Sequence, residues 1–374
     1  MACDFAALSH AGIQSLSPYV PGKPIEELAR ELGISDIIKL ASNENPLGCS
    51  PKAQEALQRL SIQQIANYPS SAIHPMREKL SAKLDVEPAM LCLSNGSDLL
   101  FGLLLKLFCL HTGKHALTHD LAFITYQIQA QELGIPIRFS PINEHWDVDI
   151  QAMIAMCNKD TGIIFIANPN NPTGKFIPHN EIVQLLNNVP ATTIVVIDEA
   201  YYEFAYPEGD TSTIELLAQF PNLVITRTFS KIYGLAGLRL GYAIAHPQIV
   251  ELILRLQLPF SVNQAVLEAG YAALDDQAFI AKTLANNTAG MQQMVAGLIK
   301  ADCHVIPSHC NFVTFSCRLA GAVIYKHLLS HGIIIRPLAG YGLPDFLRVS
   351  IGKLEQNARF LDKLSFCLSE YSEE

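Results

Sequence analysis

From about residue 90 the chain alternates short apolar runs with longer stretches of helical spacing, and that rhythm restricts it to few architectures. The runs are Leu91–Leu93, His115–Thr118, Ile135–Phe139, Gly162–Ala167, Thr193–Ile197, Leu223–Thr226 and Leu240–Ala245. Helical stretches begin at Ser97, near Phe123, and at Asp149, Pro178 and Pro247. Strands alternating with helices predict an α/β fold with a mainly parallel sheet covered on both faces. In such a sheet, ligands bind beyond the carboxyl ends of the strands. Asn171, Asp198 and Lys231 all fall just past predicted strand ends.

The rhythm changes after residue 258. A helical stretch, Val262–Lys300, is interrupted near Asp275-Asp276. Short strands follow at His304–Ile306, Phe312–Phe315, Ile333–Ile335 and Phe346–Ile351, with helices at Gly321–Ser330 and Glu355–Leu368. This pattern predicts a smaller α+β domain over 259–374, beside a large domain over 41–258. Residues 1–40 form an N-terminal arm and part of the small domain.

At 374 residues, 49% hydrophobic and 16% charged, the chain has ample material for two cores. A net charge of −9 argues against nucleic acid or an anionic membrane surface as the main partner. The longest strongly apolar run, Leu99–Leu110, is too short to span a membrane and holds Lys106. Asp4, and the lack of Lys or Arg before Lys23, do not suit a signal peptide. The nine cysteines form no Cys-x-x-Cys, which points to reduced thiols in the cytoplasm. Twelve histidines show no metal-ligand spacing, and no Walker loop, Gly-x-Gly-x-x-Gly or Gly-x-Ser-x-Gly occurs.

The chemistry concentrates around Arg227-Thr228-Phe229-Ser230-Lys231, where Lys231 stands in a hydroxyl-rich turn after a strand. A lysine amine can hold a pyridoxal aldehyde as a Schiff base, and the pyridine ring is an electron sink while its nitrogen stays protonated. Asp198, ending an apolar strand, is placed to keep that proton; alternation turns Glu199 to the opposite side. Tyr201 and Asn171 can donate to the phenolate oxygen of such a cofactor. Backbone N–H groups in the turn before Leu99–Leu110, with the Ser97 hydroxyl, form an anion site that Thr228, Ser230 and Arg239 can complete. Phe123 is a candidate plate over the ring. Each residue also has an ordinary structural explanation: a solvated lysine, a turn aspartate, a core tyrosine, an N-cap serine. The ordered set is what points to a site.

That set resembles the fold-type I pyridoxal-phosphate-dependent aminotransferases, and most closely the histidinol-phosphate aminotransferase family. The resemblance runs nearly end to end, from Pro18 to Gly352. It is carried by Asn43-Glu44-Asn45-Pro46, Tyr68-Pro69, Gly96-Ser97-Asp98, Asn168 to Gly174, Asp198-Glu199-Ala200-Tyr201, Phe229-Ser230-Lys231, Gly234 to Arg239, Gly332 to Pro337 and Leu347 to Gly352. It implies a homodimer binding pyridoxal 5′-phosphate, with Lys231 as Schiff-base lysine and proton shuttle. Asp198 would pair with the ring nitrogen, and Tyr201 and Asn171 with the phenolate oxygen. Gly96, Ser97, Asp98, Phe123, Thr228, Ser230 and Arg239 complete the implied cofactor site. Asn43 belongs to the implied substrate site. Arg348 would take the carboxylate of glutamate, the partner of 2-oxoglutarate. Tyr19, Arg336, Arg348 and the other subunit's Tyr68 would take the phosphate of histidinol phosphate.

The chain departs from the family pattern at Leu121-Ala122-Phe123, where Pro and a small hydroxyl residue usually precede the aromatic. Leu99 and Lys353 also replace a usual acidic residue and a common Thr. The resemblance implies transamination in histidine biosynthesis. Alternatives on the same fold are an aromatic amino-acid aminotransferase and a threonine phosphate decarboxylase. A regulator without turnover fits less well, because Lys231 and Asp198 are both present.

Overall fold

The computed structural model describes residues 3–16, 23–69, 74–206 and 213–370. Its strands, in chain order, are β1 (Ile38–Lys39), β2 (Leu91–Asn95), β3 (His115–His119), β4 (Ile137–Ser140), β5 (Thr161–Ala167), β6 (Ile194–Asp198), β7 (Leu223–Thr228) and β8 (Leu240–Ala245). They continue with β9 (His304–Ile306), β10 (Phe312–Ser316), β11 (Ile333–Ile334), β12 (Arg336–Pro337) and β13 (Phe346–Ser350).

Seven strands form one sheet in the order β2-β8-β7-β6-β5-β3-β4. Strands β7, β6, β5, β3 and β4 run parallel, as the strand–helix alternation predicts. Strand β8 is antiparallel to both its neighbours. The reason lies in chain length. A parallel return requires a crossover of a dozen or more residues, whereas residues 229–239 contain only the short helical turn Ala236–Leu238. The segment holding Lys231 is therefore a tight link between two adjacent strands.

Both faces of the sheet are dry. Ile164, Val195 and Ile225 belong to the core on one face, where helices Ile150–Met156, His179–Asn188 and Gln264–Ala273 pack. Phe165, Val196 and Val224 belong to the other, under helices Asp98–Phe108, Thr125–Glu132 and Pro247–Leu256. Fully burying one such side chain contributes roughly 1.5–3 kcal/mol, which is why the middles of these strands are apolar.

A four-stranded antiparallel sheet, β12-β13-β10-β9, stands apart with its own core of Met294, Leu298, Ile324, Leu328, Phe360 and Leu364. Helices Gln277–Lys300, Gly321–Ser330 and Leu354–Glu370 cover it. The interruption expected at Asp275-Asp276 is a helix start, where the Asp276 carboxylate accepts from the Phe279 N–H and from the Ser50 hydroxyl at 2.6 Å. The run Ile333–Ile335 divides its pairing. Ile333 and Ile334 pair in parallel with Ile38 and Lys39, and Arg336 pairs with Arg348. Among the described residues no helix is long and apolar enough to cross a membrane.

Candidate active site

The carboxyl ends of β5, β6 and β7 meet the β12–β13 edge of the small sheet around a cavity of about 380 Å³. Its walls include Asp198, Tyr201, Lys231 and Asn171 from the large-sheet side and Arg336 and Arg348 from the other. Asn43, Ser97, Asp98, Phe123, Thr228, Ser230 and Arg239 line it as well. Gly96 is not a wall residue but stands against Arg239. Tyr68 lies outside the cavity, 81% exposed, with its ring stacked on Phe260 at 4.5 Å. Tyr19 is outside the described residues.

Asp198 ends β6, and its register partner on β7 is Thr226. The Thr226 hydroxyl donates to Asp198 Oδ1 at 3.0 Å and the Tyr126 hydroxyl donates to Oδ2 at 3.0 Å. Burial pushes the Asp198 carboxyl up to about 7, and the two hydroxyl bonds pull in the opposite direction. A carboxylate held by two neutral donors in a dry site is short of a cation. Glu199, one residue on, faces away as alternation requires. It is buried against Arg227, whose Nε donates to Oε2 at 2.7 Å, and Arg227 covers the Tyr202 ring at 3.7 Å. Tyr202 is thus a packing residue.

Lys231 Nζ donates to the Ser42 carbonyl at 3.0 Å. Burial lowers its pKa to about 8, helped by the nearby Arg348 charge. The amine is thereby neutral in a sizeable fraction of molecules near neutrality, as a nucleophile requires. The Tyr201 hydroxyl accepts from Asn43 Nδ2 at 2.9 Å, which leaves its own hydrogen to donate. Burial raises the Tyr201 pKa, so the phenol stays protonated.

The turn between β2 and helix Asp98–Phe108 is shaped by two glycines. Gly96 has φ +77°, and a Cβ there would sit 2.6 Å from Arg239 Nη2. On the neighbouring β8, a Cβ at Gly241 would sit 2.3 Å from the Ser97 nitrogen. Ser97 occupies the N-cap position yet makes no side-chain capping bond, so its hydroxyl is not committed to the helix. Arg239 pairs with Asp98 at 3.1 Å, and the Thr228 hydroxyl donates to Ser230 Oγ at 2.9 Å. Hydroxyls, a helix N-terminus and a guanidinium around a glycine-cleared hollow fit a phosphate.

Arg336 and Arg348 are directly paired on β12 and β13 and line one cavity. Arg348 is buried. It donates from Nη1 to Asn171 Oδ1 and from Nη2 to the Ala41 carbonyl at 2.9 Å, and its Nε has no partner among the described residues. Its hydrogen bonds go to neutral oxygens, so its charge remains available to an anion.

Sequence reasoning brought these residues together but missed Tyr126, Thr226 and Tyr341, which forms part of the cavity wall. Tyr126 is fully buried, stacked on Phe165 at 4.9 Å and edge-on to Phe123 at 5.7 Å. Nothing in a helical run of mixed residues marks that hydroxyl as anything but core. At the departure from the family pattern, Leu121 has φ +57°, a conformation the proline ring forbids, and its carbonyl accepts from Asn170 Nδ2 at 3.0 Å.

The family model described as aminotransferase class I and II matches residues 35–364, and the chain belongs to that family. It is 56% identical over 97% of its length to histidinol-phosphate aminotransferase 2 of Legionella pneumophila strain Lens, covering 99% of that protein. It is 46% identical to histidinol-phosphate aminotransferase 1 of Thiobacillus denitrificans, over 97% of this chain and 94% of that protein. The structure is similar to that of histidinol-phosphate aminotransferase from Sinorhizobium meliloti in complex with pyridoxal-5′-phosphate. There the TM-score is 0.87, with 26% identity over 97% of this chain and 98% of that one. Within the class I and II aminotransferases the chain is a member of the histidinol-phosphate aminotransferase family, with the fold-type I architecture expected of it.

Proposed function

We propose that this chain transfers the amino group of L-histidinol phosphate to 2-oxoglutarate, using pyridoxal 5′-phosphate at Lys231. The reading rests on Arg336 and Arg348, two cations placed side by side in the cavity that holds Lys231 and Asp198. Like charges on paired residues repel, and an anionic substrate group relieves the repulsion.

Bound there, pyridoxal 5′-phosphate supplies an aldehyde that takes up the amino group and a ring that accepts electrons from the substrate. Asp198 holds a proton on the ring nitrogen, a cation that satisfies its buried carboxylate. Tyr201 Oη donates to the phenolate oxygen while Asn43 holds it in place, and Asn171 keeps its Nδ2 to donate because its Oδ1 is taken by Arg348. Ser97, Thr228, Ser230, Arg239 and the turn at Gly96 to Asp98 would hold the cofactor phosphate, and Phe123 would flank the ring. Lys231 Nζ carries the proton released at the substrate α-carbon. Arg348 binds the glutamate carboxylate, and with Arg336 it binds the phosphate of histidinol phosphate.

A single-turnover absorbance assay tests the reading. L-Histidinol phosphate should bleach the bound cofactor's band faster than L-phenylalanine does. Arg336→Ala should weaken the phosphorylated substrate by about 10- to 150-fold, the value of one charge-assisted contact at about 1.5–3 kcal/mol, and leave phenylalanine nearly unchanged. Faster bleaching by phenylalanine would make the enzyme an aromatic aminotransferase. Carbon dioxide release from threonine phosphate, with the band recovering, would make it a decarboxylase.

The same reading extends to a homodimer. Tyr68 and Phe260 stack at the surface, and Ile62, Ile65 and Leu258, close to them in the chain, are 87%, 70% and 77% exposed. An apolar face of this kind suits a second copy, whose Tyr68 would reach this cavity. Sedimentation should return twice the chain mass of 41.0 kDa. A fully active monomer at micromolar concentration would reject the assignment.

A further inference from the structure

Away from the cavity, the small sheet carries a pair of thiols that the amino-transfer chemistry does not use. Strands β9 and β10 are antiparallel, with Thr314 opposite Ile306, Phe315 opposite Val305 and Ser316 opposite His304. One step further in the same register Cys317 faces Cys303. Directly opposed residues of antiparallel strands have Cα atoms about 4.5–5.5 Å apart, within the span a disulfide bridges. Cys303 is buried and Cys317 half-buried, so a small oxidant reaches the pair from the Cys317 side.

We propose that Cys303 and Cys317 form an oxidative modification site, closed to a disulfide by hydrogen peroxide. The neighbouring Cys317 side chain lowers the Cys303 pKa, while Cys303 and burial raise that of Cys317; the Cys303 thiol itself points to the Ala301 carbonyl at 3.7 Å. Cys303 is therefore the attacking sulfur and Cys317 the resolving one. The Cys303 thiolate attacks one peroxide oxygen, the O–O bond breaks, and a sulfenic acid forms as water leaves. The Cys317 sulfur then attacks the sulfenic sulfur, the S–S bond forms and a second water departs. Two thiols are oxidised and one peroxide is reduced to two waters. Cys367, fully buried in helix Leu354–Glu370 near Cys317, has its pKa raised by burial.

The bond would clamp the base of a hairpin whose tip supports the Asn168–Gly174 loop and Asn43, both at the cavity. His309 N–H donates to the Gly174 carbonyl at 2.8 Å, and Asn311 Nδ2 donates to the Asn43 carbonyl at 3.0 Å.

The test treats the full-length holoenzyme with a small excess of hydrogen peroxide. The reaction is quenched and free thiols are alkylated in denaturant before intact-mass and peptide analysis. Two of the nine thiols should disappear, in a single Cys303–Cys317 cross-link. The pair should react at least about 10-fold faster than Cys92 and Cys109, whose thiols burial pushes up to about 12 and about 11. Cys303→Ser and Cys317→Ser should each abolish the link, and Cys367→Ser should keep it. Circular dichroism establishes that each variant is folded, and Cys317→Ser, at the more exposed site, serves if Cys303→Ser does not fold. A Cys317–Cys367 link, oxidation of Cys303 to sulfinic acid without a link, or nine intact thiols would overturn the proposal.

Discussion

Lys231→Ala protein should bind pyridoxal phosphate weakly and show no measurable transamination, with kcat lower by at least about 10⁴-fold. That is the upper range for a single positioned acid–base group, and this residue also provides the amine for the aldehyde. Among the described residues lining the cavity Lys231 is the sole primary amine; Arg239, Arg336 and Arg348 are guanidiniums that stay protonated. The check is a steady-state assay beside an absorbance spectrum of the reconstituted variant. Wild-type turnover would sink the cofactor assignment, whereas weakened binding without turnover is the expected sign of a lost amine.

Asp198→Asn should reduce kcat by about 10²–10³-fold with little change in fold, the scale for removing one buried group aimed at a developing charge. The amide has nearly the shape of the carboxylate, with one of the Thr226 and Tyr126 hydroxyls turned from donor to acceptor of its NH2, but it cannot hold a proton on the ring nitrogen. The absorbance of the bound cofactor, followed against pH, separates the two roles. If Asp198 acts through the ring nitrogen, the protonation of the bound cofactor shifts along with kcat. An unchanged titration with normal turnover would mean that Asp198 only packs the end of β6.

These two residues were legible from the chain alone because each follows a run of buried β-branched residues, and a polar group at the end of such a run needs a reason to be there. The strand positions of the large sheet were legible for the same cause. The direction of β8 was not, because apolar runs look alike whichever way they point; only the short link of residues 229–239 decides it. The hydroxyls of Tyr126 and Thr226 were hidden for a related reason. Which core hydroxyl meets a carboxylate depends on the register between β6 and β7 and on how helix Thr125–Glu132 sits on the sheet, and neither is written locally. Arg336 and Arg348 came from the family resemblance. Their pairing in the fold supplies the physical argument, because the strands place both cations on one cavity.

The pairing of β1 with β11 has a consequence for how the molecule is made. Ile38 and Lys39 find their strand partners only at Ile333 and Ile334. During synthesis the first forty residues leave the ribosome with no complementary edge, and most of the protein emerges before one exists. The large sheet, whose strands lie between residues 91 and 245, can assemble in the interval. The small sheet can close only at the end, and beside it β11 pairs with the waiting N-terminal strand. Since Arg336 and Arg348 belong to that late layer, the nascent chain has Lys231 and Asp198 in place before it can hold a phosphorylated substrate.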